Sequence, residues 1–333
     1  MRSSNIEILK IYLCTLDYEL PFPNYNEVHL SEEDELYRYV LKLLSYNYDN
    51  VTAKRASFDD LSYLAGILSS DAEGLDKFVE TVSVQIHDMI KSGAEIRSGS
   101  GIFVWAQIFE QPIVAFFKMN FQNKFMCFLS DVGDVSWRMN SKVLPASSQK
   151  DYEYFLINIL DKTVRLSDSV CYVGNECVNY LAKKVLKLEA KRSEKEHIKK
   201  FDDAVVDTIK ECYEEREAPK KILEYKAEIA QAVDSTGSIN VTDIEKTVFA
   251  DNEKAADLYE NRMAAEEIPW EPMPVSPKIE RTLKKKQKLV TDNGIEIMVP
   301  VEYLTDESVF ECVNCDDGSV SIIIRGARSV QNR

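Results

Sequence analysis

The chain has 333 residues, 45% of them hydrophobic and 10% aromatic, with seven cysteines and a formal net charge of −15. That length exceeds one ordinary hydrophobic core, and the apolar share excludes disorder as the default reading. The acidic balance counts against nucleic acid as a ligand unless the cations cluster, because phosphate affinity depends on local positive potential. The longest apolar runs, Ile102 to Phe109 and Ile113 to Phe117, are interrupted by Glu110, Gln111 and Pro112 and are too short for a bilayer. The first twenty residues lack the uninterrupted apolar stretch of a signal peptide, so a cytoplasmic protein with no membrane partner is expected. Scattered cysteines in odd number suit a reducing compartment better than a disulfide framework.

Residues 1–166 read as an α+β N-terminal domain. Asn5 to Leu16 alternates as a strand, and Ser31 before Glu32, Glu33, Asp34 and Glu35 predicts a capped helix with Leu36, Val40 and Leu43 as its stripe. Leu75, Phe78, Val79, Val82 and Ile86 predict a second helix from Leu75 to Ile90. The runs on either side of Glu110-Gln111-Pro112 predict a hairpin of two buried strands. Further strands are expected at Lys124 to Leu129, Val135 to Val143 and Phe155 to Leu166, giving helices packed on a largely antiparallel sheet.

Residues 167–268 read as a helical region. Val170, Val173, Cys177, Leu181, Val185 and Leu188 form one helical stripe, and more helices are predicted at Phe201 to Glu215, Lys220 to Val233 and Val241 to Glu267. Pro269, Pro272, Pro274 and Pro277 make residues 269–277 a proline-rich linker. Residues 278–333 then read as a basic segment plus a small β-hairpin unit, with turns at Asn293-Gly294 and Asp317-Gly318.

Two cationic clusters are candidates for duplex phosphates. In the first, Lys278, Arg281, Lys284, Lys285, Lys286 and Lys288 surround one acid, Glu280; on a helix Lys278, Arg281, Lys285 and Lys288 would share a side. In the second, Lys184, Lys187, Lys191 and Lys195 would stripe a continuous helix, although Glu189, Glu194 and Glu196 intervene. The bland reading of either is a solvated charged face. Neither is interleaved with aromatics for base stacking, so duplex backbone contact with weak sequence specificity fits better than single-strand binding.

Evidence for catalysis is thinner. Cys312-Val313-Asn314-Cys315 supplies half a zinc site, with no second pair of ligands nearby, so no metal or other cofactor is expected. His29, His87 and His197 lack a companion nucleophile motif. Glu224-Tyr225-Lys226 matches the E-x-K part of a metal-dependent nuclease site, but in a helical context where positions i and i+2 diverge.

The segments SGIFVWAQIFEQPIVAFFKM, VGNECVNYLAKKVLKL and NGIEIMVPVEYLTDESVFECVNCDDGSVSIIIRG, in this order, resemble the bacterial nucleoid-associated family of NdpA (YejK), over roughly residues 5–330. The resemblance implies an intracellular, non-catalytic nucleoid protein associated with double-stranded DNA, a homodimer, and a type II topoisomerase as a candidate further partner. Where the family carries basic residues near its V-G segment, this chain has Ser169, Tyr172, Asn175 and Glu176, so no phosphate contact is carried over there. The alternatives are an interaction module whose acidic surface engages a topoisomerase or another DNA-bound protein, and a metal-dependent nuclease.

Overall fold

The apolar runs flanking Glu110 lie at the centre of a sheet covered on both faces. The computed structural model describes residues 5–59, 61–68, 72–129, 133–315 and 319–329. It divides into two compact units, Met1–Ser193 and Glu194–Arg333.

In the first unit the chain runs through β1 (Ile6–Leu16), β2 (Asn24–Val28), α1 (Glu35–Tyr48), β3 (Lys54–Ser57), α2 (Tyr63–Leu68) and α3 (Ala72–Lys91). It continues through β4 (Gly99–Ile108), β5 (Gln111–Asn120), β6 (Gln122–Leu129), β7 (Val135–Val143), β8 (Tyr152–Asn158) and β9 (Thr163–Ser167). The unit closes with β10 (Val170–Val173), β11 (Glu176–Asn179) and a π-helical turn, Leu181–Leu186. Among the described residues seven strands form an antiparallel sheet in the order β2-β1-β4-β5-β8-β9-β3.

One face packs on α1 through Val40, Leu43 and Leu44 against Val104, Ala115, Phe117 and Leu156. The opposite face packs on α2, α3 and the π-helical turn. Phe103, Phe116 and Phe155 lie side by side there, with ring centroids 4.5 and 5.1 Å apart, and Phe78 of α3 meets two of them edge-on. Each such buried side chain contributes about 1.5–3 kcal/mol through its burial. Because β4 and β5 are covered on both sides, they read as continuous apolar runs rather than alternating ones.

The α+β class is as the sequence predicts, but several local readings change. The first helix begins at Glu35 rather than after Ser31, because the Asp34 carboxylate turns back to accept both the Ser31 N–H (2.6 Å) and its hydroxyl (3.0 Å). Phe155 to Leu166 is two strands, turned at Asp161, whose carboxylate accepts the Thr163 N–H at 2.9 Å. Val170 to Leu188 is a hairpin followed by the π-helical turn, not one helix. Gly174 and Lys187 both have positive φ, and the Leu188 N–H closes back on the Ala182 carbonyl at 2.8 Å.

The second unit contains α4 (Glu194–Cys212), α5 (Ala218–Thr236), β12 (Ser238–Ile239), α6 (Val241–Val248), α7 (Glu253–Ala265), β13 (Met273–Pro274) and α8 (Pro277–Leu283). Two hairpins follow, β14 (Lys286–Val290) with β15 (Glu296–Pro300) and β16 (Phe310–Asn314) with β17 (Val320–Ile324). The predicted helix from Val241 to Glu267 is split, with Asn252 capping α7 by accepting the Ala255 N–H at 3.1 Å. The proline-rich segment is not a free tether between compact units: Met273–Pro274 pairs with Ser238–Ile239, and Pro277 starts α8. The hairpins seat Val299, Val301, Leu304 and Phe310 on Leu223 and Ala230 of α5. The predicted Asn293-Gly294 turn is present with Gly294 at φ 86, while Asp317-Gly318 lies outside the described residues.

Candidate nucleic-acid interface

Proline at the start of α8 supplies a preset φ where a backbone donor is not needed, and Ile279 is buried on that short helix. The helix ends at Leu283, since Lys286 onward is drawn into cross-strand pairing from Lys286↔Pro300 to Val290↔Glu296. The predicted one-sided helical array is therefore corrected. Lys278 and Arg281 lie on α8, Lys285 on the connecting turn and Lys288 on β14. Alternation on β14 turns Lys286 and Lys288 to solvent and Gln287 and Leu289 inward.

The cations in this segment are not equivalent. Lys284 is held by Asp234 of α5 and by Glu280 at 2.7 Å, contacts that push its pKa upward. Lys288 pairs with Glu296 at 2.6 Å. Arg281, Lys285 and Lys286 are exposed, and among the described residues no carboxylate forms an ion pair with them. Lys284, Lys285 and Lys286 edge a groove of about 950 Å³, walled by Ala227, Ala230 and Asp234 on α5 and by Met298, Pro300, Val301 and Glu302. The Glu280–Lys284 pair is legible as an i,i+4 spacing, and Glu296 lies across the hairpin that Asn293-Gly294 sets. Asp234 had no signal in the sequence, because only the packing of α5 brings it to Lys284.

The second cluster does not form a helical stripe. Lys184 sits in the π-helical turn and pairs with Glu176, and neighbouring Lys183 meets Glu189 at 3.4 Å. Lys187 is the left-handed residue that ends the turn, Lys191 is bridged through its backbone to Arg55, and Lys195 belongs to α4 in the second unit. A left-handed residue and an extended bridge cannot continue a helix.

The catalytic alternatives also acquire a geometry. Glu224 meets Lys221 at 3.8 Å, whereas Lys226 reaches Asp202, and Tyr225 between them is buried and donates to Asp202 at 2.9 Å. The E-x-K residues thus diverge around α5. Cys312 and Cys315 are free thiols, and burial pushes the Cys312 pKa up, against thiolate formation. No group of three or more His, Cys, Asp or Glu side chains arranged to hold a metal occurs among the described residues. His87 is buried on α3, while His29 is exposed.

Fold and site together define a mixed α/β scaffold whose second unit presents a cationic segment in which Lys284 and Lys288 are ion-paired and Arg281, Lys285 and Lys286 are exposed. The family model for nucleoid-associated protein YejK matches residues 16–332, nearly the whole chain, and the chain belongs to that family. No curated protein matches it. No helix among the described residues is long and apolar enough to cross a membrane.

Proposed function

We propose that this nucleoid-associated protein binds double-stranded DNA, non-catalytically and with little sequence preference, through phosphate contacts centred on Arg281, Lys285 and Lys286. The observation that carries the reading is the separation of this run into cations neutralised within the fold and cations left to solvent. A lysine already paired with a carboxylate has less charge to offer a phosphate, and its partner repels the backbone. Lys284 and Lys288 then serve the packing of α5 and the hairpin, while Lys278 flanks the surface. The net charge of −15 is compatible with this arrangement because the interaction is local and short-ranged at physiological salt.

Fluorescence anisotropy with labelled duplex across a salt series tests it. Binding should weaken as salt rises, and Lys285→Ala with Lys286→Ala should make the log–log salt slope shallower by about 0.9 for each phosphate that is no longer neutralised. Lys288→Ala should change the slope less. Unchanged affinity and slope in the double variant would place DNA elsewhere. No binding by wild type at low salt would instead favour an acidic surface that engages a basic protein, such as a topoisomerase or another DNA-bound partner.

A further inference from the structure

The first unit carries a second kind of surface. Among the described residues β6 and β7 pair only with each other, forming a ribbon outside the seven-stranded sheet. Its register places Phe125 opposite Met139, Cys127 opposite Trp137 and Leu129 opposite Val135. Alternation puts these six residues on one face. That face has no charged or hydrogen-bonding side chain beyond the Trp137 indole and the Cys127 thiol. Phe125 is 71% exposed, Leu129 73%, Val135 59%, Trp137 65% and Met139 62%.

The opposite face is different in kind. Lys124, Ser136, Arg138 and Asn140 lie there with Met126 and Phe128, which are less exposed, at 43% and 40%, and which polar groups shield in part: the Arg138 guanidinium stands 5.2 Å from the Phe128 ring centre, and Asn140 reaches the Met126 sulfur at 3.5 Å. The base of the ribbon is tied down, with Lys142 bound to the buried Asp17 and Gln122 to Asp151 at 3.3 Å. The ribbon is thus tied at one end, while among the described residues its apolar face belongs to neither of the two core clusters that flank the sheet. A lone two-stranded ribbon is marginal in water without a packing partner.

We propose that this face is a dimerisation surface, on which the Phe125, Cys127, Leu129, Val135, Trp137 and Met139 side chains pack against the same six residues of a second copy of this chain. An uncharged face is complementary to itself about a twofold axis, whereas a charged ligand gains nothing from it. It also lets two strongly acidic molecules meet without opposing their carboxylates. With roughly 150–250 Å² for each aromatic and somewhat less for each aliphatic side chain, the exposed fractions give on the order of 600 Å² per copy. Two copies together then bury on the order of 1,200 Å², the lower bound of stable specific interfaces. The proposal does not depend on DNA binding.

Sedimentation velocity over a dilution series tests it, with circular dichroism as a check on folding. The full-length protein should be a dimer at micromolar concentration. Trp137→Ser should weaken association by roughly thirtyfold or more, as expected of a central aromatic anchor. Phe125→Ser combined with Trp137→Ser should give a monomer with an unchanged spectrum, while Phe128→Ser on the opposite face should leave the dimer intact. Four results would overturn the proposal: a wild-type monomer at tens of micromolar, a dimer indifferent to Trp137→Ser and to the double variant, equal weakening by Phe128→Ser, or a monomer that cosediments with phosphatidylglycerol–phosphatidylethanolamine vesicles through Trp137. If the double variant unfolds, acrylamide quenching of wild-type tryptophan fluorescence on dilution decides the matter. Trp137 should become more accessible as the dimer dissociates, and constant quenching would count against the proposal.

Discussion

Lys118 shows how a residue's meaning depends on what surrounds it. It lies on β5, 1% exposed, facing Glu153 across the β5–β8 pair with its ammonium 3.8 Å from the carboxylate. It also donates to Asn120, and Glu153 accepts the Tyr180 hydroxyl at 2.6 Å. Burial pushes the Lys118 pKa down to about 8, with the Glu153 charge pulling the other way. Between about pH 8 and the ordinary lysine value the unfolded chain therefore holds a proton that the folded chain has released. Stability from this site should rise with pH across that window, by at most about 1.4 kcal/mol per pH unit. In urea titrations at pH 7 to 9.5, Lys118→Met should lose this rise relative to wild type. A parallel pH dependence in both proteins would show that Lys118 is not the titrating group. In the sequence Lys118 is merely the polar end of an apolar run, because the cross-strand register that supplies Glu153 is not local information.

At the scale of the element, the tightest turn in the sheet is made without glycine. The β4–β5 connection has Phe109 at φ 49 and Glu110 at φ 65, both in the left-handed region. That geometry matches the twist of a two-residue hairpin but normally recruits Asn-Gly, since a side chain there costs about 1–2 kcal/mol. Glu110→Gly should therefore raise the unfolding free energy by up to about 1 kcal/mol in chemical denaturation, part of the relief being returned as glycine's greater unfolded-state entropy. A drop in stability would mean that the Glu110 side chain supports the turn. The boundary between α6 and α7 teaches a related lesson. The apolar spacing from Val241 onward suits one long helix, but Asn252 can cap a new one, and its side chain does so at the Ala255 N–H. The sequence contained that signal; periodicity outvoted it.

The whole molecule combines a strongly negative sum with two surfaces that should respond to salt in opposite senses. DNA binding at Arg281, Lys285 and Lys286 should weaken with added salt, because condensed counterions are released from the duplex. Pairing of two copies through the Trp137 face should hold or strengthen from about 50 mM to about 300 mM salt, since screening reduces repulsion between two chains of charge −15 and no ion pair is broken at the face. Sedimentation and anisotropy on the same samples check both slopes, and a dimer that dissociates as salt rises would indicate an ionic contact instead. The homodimer that the family resemblance implies is an expectation which the same sedimentation series tests.

Composition and periodicity by themselves determined that the chain folds as α+β, that β4 and β5 form a buried hairpin, and that the C-terminal half carries a cationic run. They could do so because apolar runs and spacing, the polar break at Glu110-Gln111-Pro112 and like-charge clustering are properties of neighbours in sequence. Only the tertiary structure decided which lysines remain available, since Asp234 is fifty residues from Lys284 and meets it through the packing of α5. It also decided that Lys184, Lys187, Lys191 and Lys195 share no helix, because the left-handed residue at Lys187 and the bridge from Lys191 to Arg55 belong to long-range closure of the first unit. The same holds for β6 and β7: the alternating Phe125, Cys127, Leu129 and Val135, Trp137, Met139 would suit strands with one face on a core, and only the position of the ribbon outside the sheet turns them to solvent.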